Sequence, residues 1–441
     1  MAGPDPATQR FSIKSFFMSN ALSTDELDVT IDTLGHLGDG VADVNGVQVF
    51  VPLTLAGERV TIRPTTEGRA DLLRILEPSS SRIKPPCKHY GQCGGCALQH
   101  VAPALYATWK REQVIAALSS RGIDVEVDPL VTANAATRRR AAFAATRTKK
   151  GVTLGYYGRA SHNIISIEHC PLVTPEIEES LAALAEVVMP GLSRKGRASL
   201  LVTSTETGLD VAVTGGKEAP DGPLRSDLAQ RAASADLARL TWDGDILSER
   251  RAPVVSMSGI KVTPPPGAFL QATQQGQDNL TRLVLEGVGE AKRIVDLFSG
   301  CGTFTAALAV KASVLGVESE VKSVAAIDRA IREQGPAKKL KPVSFLTRDL
   351  FRRPLHMSEL LKVDAVVFDP PRAGATAQCE MLARSSVPVI IGVSCNPATF
   401  ARDARTLIDG GYRLARVTPV DQFLWSPHIE LVGTFIKAPS Q

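Results

Sequence analysis

RIVDLFSGCGTF, residues 293–304, carries an apolar strand into a turn built on Gly300 and Gly302. The chain beyond this turn repeats the unit: TFTAALAVK, SVLGVE, KSVAAIDRAIREQ, VSFLTRD, DAVVFDPPR, VPVIIGVSC and ARDARTLIDGG read as helices and strands in turn. Strands this continuously apolar, joined by helices, predict a parallel sheet covered on both faces. YRLARVTPVD and IELVGTFIKA close the chain with no helix between them, so one of the two is expected to run antiparallel. Sheets of this kind bind ligands at the carboxyl ends of their strands. There Gly300 and Gly302 let the backbone approach a ligand closely. Thr305 stands where a dinucleotide fingerprint has its third glycine, which speaks against a nicotinamide cofactor. Glu318 ends the next strand about twenty residues on, where an acid holds a ribose diol, and Asp349 ends the third, where it can meet an adenine amino group.

Asp-x-Phe-x-Gly-x-Gly with an acid at the end of the next strand resembles the pattern of S-adenosylmethionine-dependent methyltransferases. Asp369-Pro370-Pro371-Arg372 stands at a further strand end. Related Asp/Asn-Pro-Pro-aromatic turns serve amino methyltransferases, and Arg372 in the aromatic position makes an exocyclic amine the less suited target. In GVSCNPATF, residues 392–400, Cys395 sits at the ligand end of the following strand. A thiolate is the nucleophile suited to an electron-poor ring carbon. Pyrimidine C5 takes a methyl group only after a nucleophile has added at C6, and a base must then remove the C5 proton. Glu430 is the only acid in WSPHIELV and is the candidate for that task. The plain alternative for Cys395 is a small buried hydrophobe.

The rest of the chain sets limits on this chemistry. Its 441 residues are long enough for two or three cores, and 44% apolar with 22% charged residues is the composition of a globular enzyme. No segment reads as a secretory signal or a membrane span, so the cytoplasm is expected, with no membrane partner. Residues 1 to about 23 read as a loose leader, and residues 24–80 read as short strands parted by glycine, a small barrel with a hairpin turn at Asn45-Gly46. GHLGDGVADVNGVQVFVPLTLAGERV resembles a TRAM domain, the oligonucleotide-binding-type barrel appended to RNA-modifying enzymes. Three of seven cysteines, Cys87, Cys93 and Cys96, fall within ten residues, and Cys170 comes later in IEHCPL. The single close pair leans toward an iron–sulfur cluster, with zinc left open by spacing alone. Residues 81–265 read as an α+β domain, in which 216–235 look like a surface excursion. TRRRAAFAATRTKKG, residues 137–151, collects Arg138, Arg139, Arg140, Arg147, Lys149 and Lys150 without an acid. Such a segment either tracks phosphates or is a solvated strand pair with basic ends.

DLFSGCGTF, DPPR, SCNPATFARD and PHIELV, in this order, resemble the RNA uracil-5-methyltransferase family, and the barrel with CKHYGQCGGC resembles its bacterial 23S ribosomal RNA branch. The resemblance implies a multidomain chain: a TRAM barrel (24–80), an α+β central domain carrying a 4Fe-4S cluster (81–265), and a Rossmann-like class I methyltransferase domain (266–441). It implies Cys87, Cys93, Cys96 and Cys170 as cluster ligands, Cys395 as nucleophile and Glu430 as the C5-proton base. Cofactor or base contacts are implied for Gln271, Phe298, Thr303, Glu318, Asp349 and Asp369, beside Gly300 and Gly302. The implied cofactors are S-adenosylmethionine and the cluster, the implied substrate 23S rRNA, and a monomer without an obligate protein partner is expected. Thr273 and Thr303 stand where the family has or often has Asn, and Leu424 stands in place of Pro. Cys301 and Cys379 match no role and are expected to be packing residues. Transfer RNA is the rival substrate; the resemblance implies a transfer-RNA branch without barrel or cysteine cluster, so their presence argues for ribosomal RNA. A non-catalytic iron–sulfur RNA-binding protein is the rival of another class.

Overall fold

The computed structural model of the chain describes residues 26–65, 68–194, 196–216 and 221–438. The expected leader lies outside the described residues. The chain forms two compact units. One holds the described residues up to Trp109 together with Trp425–Pro427, and the other holds Lys110–Leu424 and the described residues from His428.

The first unit begins with six short strands in two three-stranded sheets, Leu27–Thr30, Arg59–Pro64 and Ala70–Glu77 in one, Thr33–Leu34, Gly40–Val44 and Val47–Val51 in the other. Alternation puts Ala42, Val44, Val49, Val51, Val60 and Ile62 into one small core. The hairpin turn is where the sequence places it: Asn45 and Gly46 both take positive φ, 55° and 83°, as the turn type that matches strand twist requires.

The second unit carries two large sheets. The seven-stranded one joins Ile164–Ser166, Gly151–Tyr157, Arg140–Thr148, Arg197–Thr205, Gly208–Gly215, Arg239–Trp242 and Asp245–Glu249 in that spatial order. The stretch read as a surface excursion contains a helix, Gly222–Ser234, whose N-cap Asp221 accepts the Leu224 amide at 3.0 Å and whose Leu228 and Ala232 are buried. Only two apolar anchors hold it, too few to show as a helical stripe in sequence. The basic segment divides in the same way. Arg139 is buried and donates to Gln271 O and to the Gln277 side chain, whereas Lys149 and Lys150 sit exposed at the turn between two strands.

The last sheet comprises β1 (Val131–Thr132), β2 (Arg293–Leu297), β3 (Ser313–Glu318), β4 (Val343–Thr347), β5 (Ala365–Phe368), β6 (Val389–Ser394), β7 (Tyr412–Asp421) and β8 (Glu430–Lys437). Their order is β4-β3-β2-β5-β6-β8-β7-β1, and β2 to β6 run parallel. β8 runs antiparallel to β6 and β7, as the missing helix predicts. Helices α1 (Gln274–Val288), α2 (Val321–Gln334), α3 (Thr376–Ala383) and α4 (Pro397–Asp409) join the layers. Burial explains why β5 and β6 read as unbroken apolar runs: Ala365 to Phe368 are all buried, and one core packs β5 against Phe400, Ala404 and Leu407 of α4 while another packs it against Leu280, Leu283 and Val284 of α1. Because β8 is reversed, its first residue, Glu430, lies beside the last residue of β6, with Leu431 paired to Ser394.

Candidate active site

The turn after β2 is held in left-handed backbone at three positions, Phe298 (φ 60°), Gly300 (53°) and Gly302 (87°). Gly302 is required sterically, since a Cβ there would lie 2.4 Å from Ile327 Cγ1, while at Gly300 the space is open. A bulky residue in this region carries strain. Phe298 keeps it while its ring faces Phe351 at 5.5 Å. Glu318, at the end of β3, accepts the Gly300 amide at 2.9 Å and the Ser319 and Glu320 amides at 2.6 and 2.9 Å. Asp349 follows β4 and accepts the Phe351 amide at 2.9 Å. Among the described residues Thr303 makes only a long contact, 4.0 Å, to Met257 Sδ.

A cavity of about 510 Å³ opens here, lined among others by Gly300, Glu318, Lys322, Gly267 and Phe269. Beneath the turn, Asp296 Oδ1 and Ser299 Oγ are buried without a partner among the described residues. Burial pushes the Asp296 carboxyl up to about 7, against the hydrogen bond from Thr305.

The second half of the site gathers at the ends of β5, β6 and β8. Asp369, Gln271, Gln422 and Glu430 form one chain of hydrogen bonds: Gln271 Nε2 donates to Asp369 Oδ2 at 3.1 Å, and Gln422 Nε2 donates to Gln271 Oε1 at 2.6 Å and Glu430 Oε1 at 3.1 Å. Gln271, Gln422 and Glu430 are each under 5% exposed. Burial raises both carboxyls, and the charge of Asp369 adds to the rise at Glu430. Cys395 follows β6, with Asn396 as N-cap of α4 accepting the Ala398 amide at 3.1 Å. Its thiol is pushed up to about 11 by burial, then by Glu430 and Asp369, with Arg372 acting against them. A helix N-terminus alone would lower it, so burial, with the two carboxyls adding to it, outweighs the helix.

Gly300, Glu318, Asp369, Cys395 and Glu430 therefore lie at the same end of neighbouring strands of one sheet. Sequence reasoning missed Gln422; its place directly after a strand, eight positions before Glu430, was the one available signal. Thr273 has a local duty: its hydroxyl caps α1 by accepting the Gly276 amide at 2.8 Å. Cys301 and Cys379 are buried packing residues.

Cys87, Cys93 and Cys96 lie half-buried in the first unit and Cys170 is buried in the second. Among the described residues no group of three or more His, Cys, Asp or Glu side chains is close enough to hold a metal ion.

Residues 24–65 match the TRAM domain, and residues 265–438 match the tRNA (Uracil-5-)-methyltransferase family. The chain is 48% identical to an uncharacterised RNA methyltransferase of Brucella suis biovar 1, covering 93% of this chain and 97% of that protein. It is 30% identical to the 23S rRNA (uracil(1939)-C(5))-methyltransferase RlmD of Shewanella sediminis, over 95% of this chain and 99% of that one. The chain belongs to the RNA uracil-5-methyltransferase family. Among solved structures, the Pyrococcus abyssi tRNA (uracil-54, C5)-methyltransferase in complex with S-adenosyl-L-homocysteine shares the fold, with a TM-score of 0.71, 24% identity, and coverage of 93% of this chain and 99% of that one. Family membership fits what the strand ends assemble, a thiol and the carboxyls of Asp369 and Glu430 beside an open glycine turn. No helix among the described residues is long and apolar enough to cross a membrane.

Proposed function

We propose that this family member methylates C5 of a uridine in 23S rRNA, using S-adenosylmethionine. The observation that carries the reading is Cys395 placed beside two carboxyls, the half-buried Asp369 and the buried Glu430, that Gln271 and Gln422 tie together. The cofactor is read into the cavity beside Gly300 and Glu318, where Glu318 would take the ribose hydroxyls, Asp349 the adenine, and Phe298 one face. S-adenosylmethionine, when bound, supplies a methyl group on a positively charged sulfur.

The chain's own residues do the rest. The Cys395 thiolate adds to uracil C6, forming an S–C6 bond and making C5 nucleophilic. Once C5 carries the methyl group, Glu430 takes the C5 proton and the S–C6 bond breaks, returning the electron pair to sulfur. Gln271 and Asp369 face the ring and hold its polar edge. The uridine must be turned out of any stack for a thiolate to reach C6.

The 23S target is supported by the full-length similarity to RlmD and by the TRAM domain. The 4Fe-4S reading rests on the family's cysteine pattern. The Gly95 amide donates to Cys93 Sγ at 3.4 Å, yet the described side chains do not assemble a metal group, so no step is assigned to a cluster. Iron and acid-labile sulfide measured on anaerobically purified protein, with Cys93→Ser as comparison, tests it.

The functional reading is tested by incubating the protein with S-adenosylmethionine and 23S rRNA fragments carrying 5-fluorouridine, whose C5 fluorine cannot be removed as a proton. A methylated RNA–protein adduct that requires Cys395 supports it. Adduct only with transfer RNA would move the substrate, and no adduct with either RNA would overturn the catalytic reading.

A further inference from the structure

Gln422 has no part in the bond-making and bond-breaking steps, yet its side chain makes three hydrogen bonds within the site. It is buried, and its amide orientation is determined rather than assumed. The Ala272 backbone N–H, 2.9 Å away, can only donate, so the Gln422 atom facing it is Oε1. Nε2 then spends both hydrogens, on Gln271 Oε1 and on Glu430 Oε1. Gln271 Oε1 is thereby committed as an acceptor, so its Nε2 faces Asp369 with a second hydrogen left for a ligand. Gly276 packs close: a Cβ there would lie 2.7 Å from Gln422 Cβ and 3.0 Å from its Oε1. Helix α1 thus leaves the amide little room to swing.

We propose that Gln422 is a specificity-determining positioning residue: by fixing the polarity of Gln271, it makes the site offer N–H to the base, accepting the O4 carbonyl of uracil and rejecting the N4 amino group of cytosine. The inference rests on the uracil reading above. Uracil O4 only accepts and cytosine N4 only donates. With Gln271 locked, a cytosine would bury N–H against N–H, leaving two donors unpaired. A freely turning Gln271 would serve either base.

Two substitutions separate this from a structural role. Gln422→Glu keeps an acceptor for the Ala272 amide but puts an oxygen where Nε2 was, so Gln271 loses the donor to its Oε1 and only Asp369 is left to orient its amide. Gln422→Met removes both donors, and Glu430 loses a hydrogen bond that stabilises its ionised form. Full-length proteins are given S-adenosylmethionine and RNA fragments with 5-fluorouridine or 5-fluorocytidine at the target position. The expected result is a trapping preference for uridine that falls at least tenfold in Gln422→Glu, and an acid limb of turnover on unmodified RNA that moves to higher pH in Gln422→Met. An unchanged preference and an unchanged acid limb, in variants that still bind S-adenosylhomocysteine, would overturn the inference and leave the uracil reading standing. Wild-type protein that traps neither base would overturn both.

Discussion

Lys110 Nζ donates to Asp421 Oδ1 at 2.7 Å, and neither side chain has any exposed surface. The same ammonium donates to the carbonyls of Phe423, at 3.4 Å, and His428, and Asp421 Oδ1 also accepts the Phe423 amide at 3.0 Å. One buried cation therefore holds both ends of the connection that carries Gln422 at its start and delivers Glu430 at its end. Burial lowers the Lys110 pKa, and the Asp421 charge opposes that shift.

Removing one member of a buried pair leaves the other uncompensated, at a cost of about 3–5 kcal/mol. Lys110→Ala should lose that much stability in urea unfolding. The double variant Lys110→Met with Asp421→Asn should recover a good part of it, because no lone charge is left inside. A loss below about 1 kcal/mol in Lys110→Ala would show that the pair is hydrated in solution.

Stability should fall as pH rises. Asp369 and Glu430 are both raised above their ordinary values, burial first. Above about pH 4 the unfolded chain has released these protons while the native protein still holds them. Their contribution is full below the unfolded values and is lost as pH climbs through the folded ones. The cofactor-free protein should therefore melt at lower temperature at pH 8 than at pH 5.5, and Glu430→Gln should flatten the dependence. Differential scanning calorimetry across that range reads both slopes; equal slopes would mean that Glu430 is ionised in the folded protein.

Cys395 should be slow to alkylate without cofactor. With its thiol pushed up to about 11, reaction with iodoacetamide at neutral pH should rise roughly tenfold per pH unit, since only the thiolate reacts. Glu430→Gln removes a negative neighbour and should speed alkylation several-fold at pH 8. Peptide mass spectrometry distinguishes Cys395 from the buried Cys301 and Cys379. A rate that is flat with pH would place the thiolate in the resting site.

Cofactor affinity should depend on Glu318 through the backbone as well as through any ribose contact. Glu318→Ala removes the acceptor of the Gly300 amide, a charged hydrogen bond of about 1.5–3 kcal/mol. S-adenosylhomocysteine binding by calorimetry should weaken at least tenfold. Gly302→Ala should weaken it too, because positive φ and the Ile327 contact force the turn to shift.

Before any tertiary structure, the legible features were those that repeat or stand at a strand end. The alternation of apolar strands with helices specified the parallel sheet, the missing helix the reversed β8, and Asn45-Gly46 its hairpin, because periodicity and turn chemistry are local properties. Gly300, Glu318, Asp369, Cys395 and Glu430 were legible as strand-end residues for the same reason. Tertiary structure alone decided which of them meet. Lys110 finds Asp421 far along the chain, Arg139 is turned inward onto Gln271 while Lys149 and Lys150 of the same basic run stay outside, and Gln422 joins Glu430 to Gln271, and through it to Asp369, which no spacing relates. A hydrogen-bond partner and the burial that raises a carboxyl's pKa both depend on what the fold brings close, and that is a property of the packed chain rather than of any segment of it.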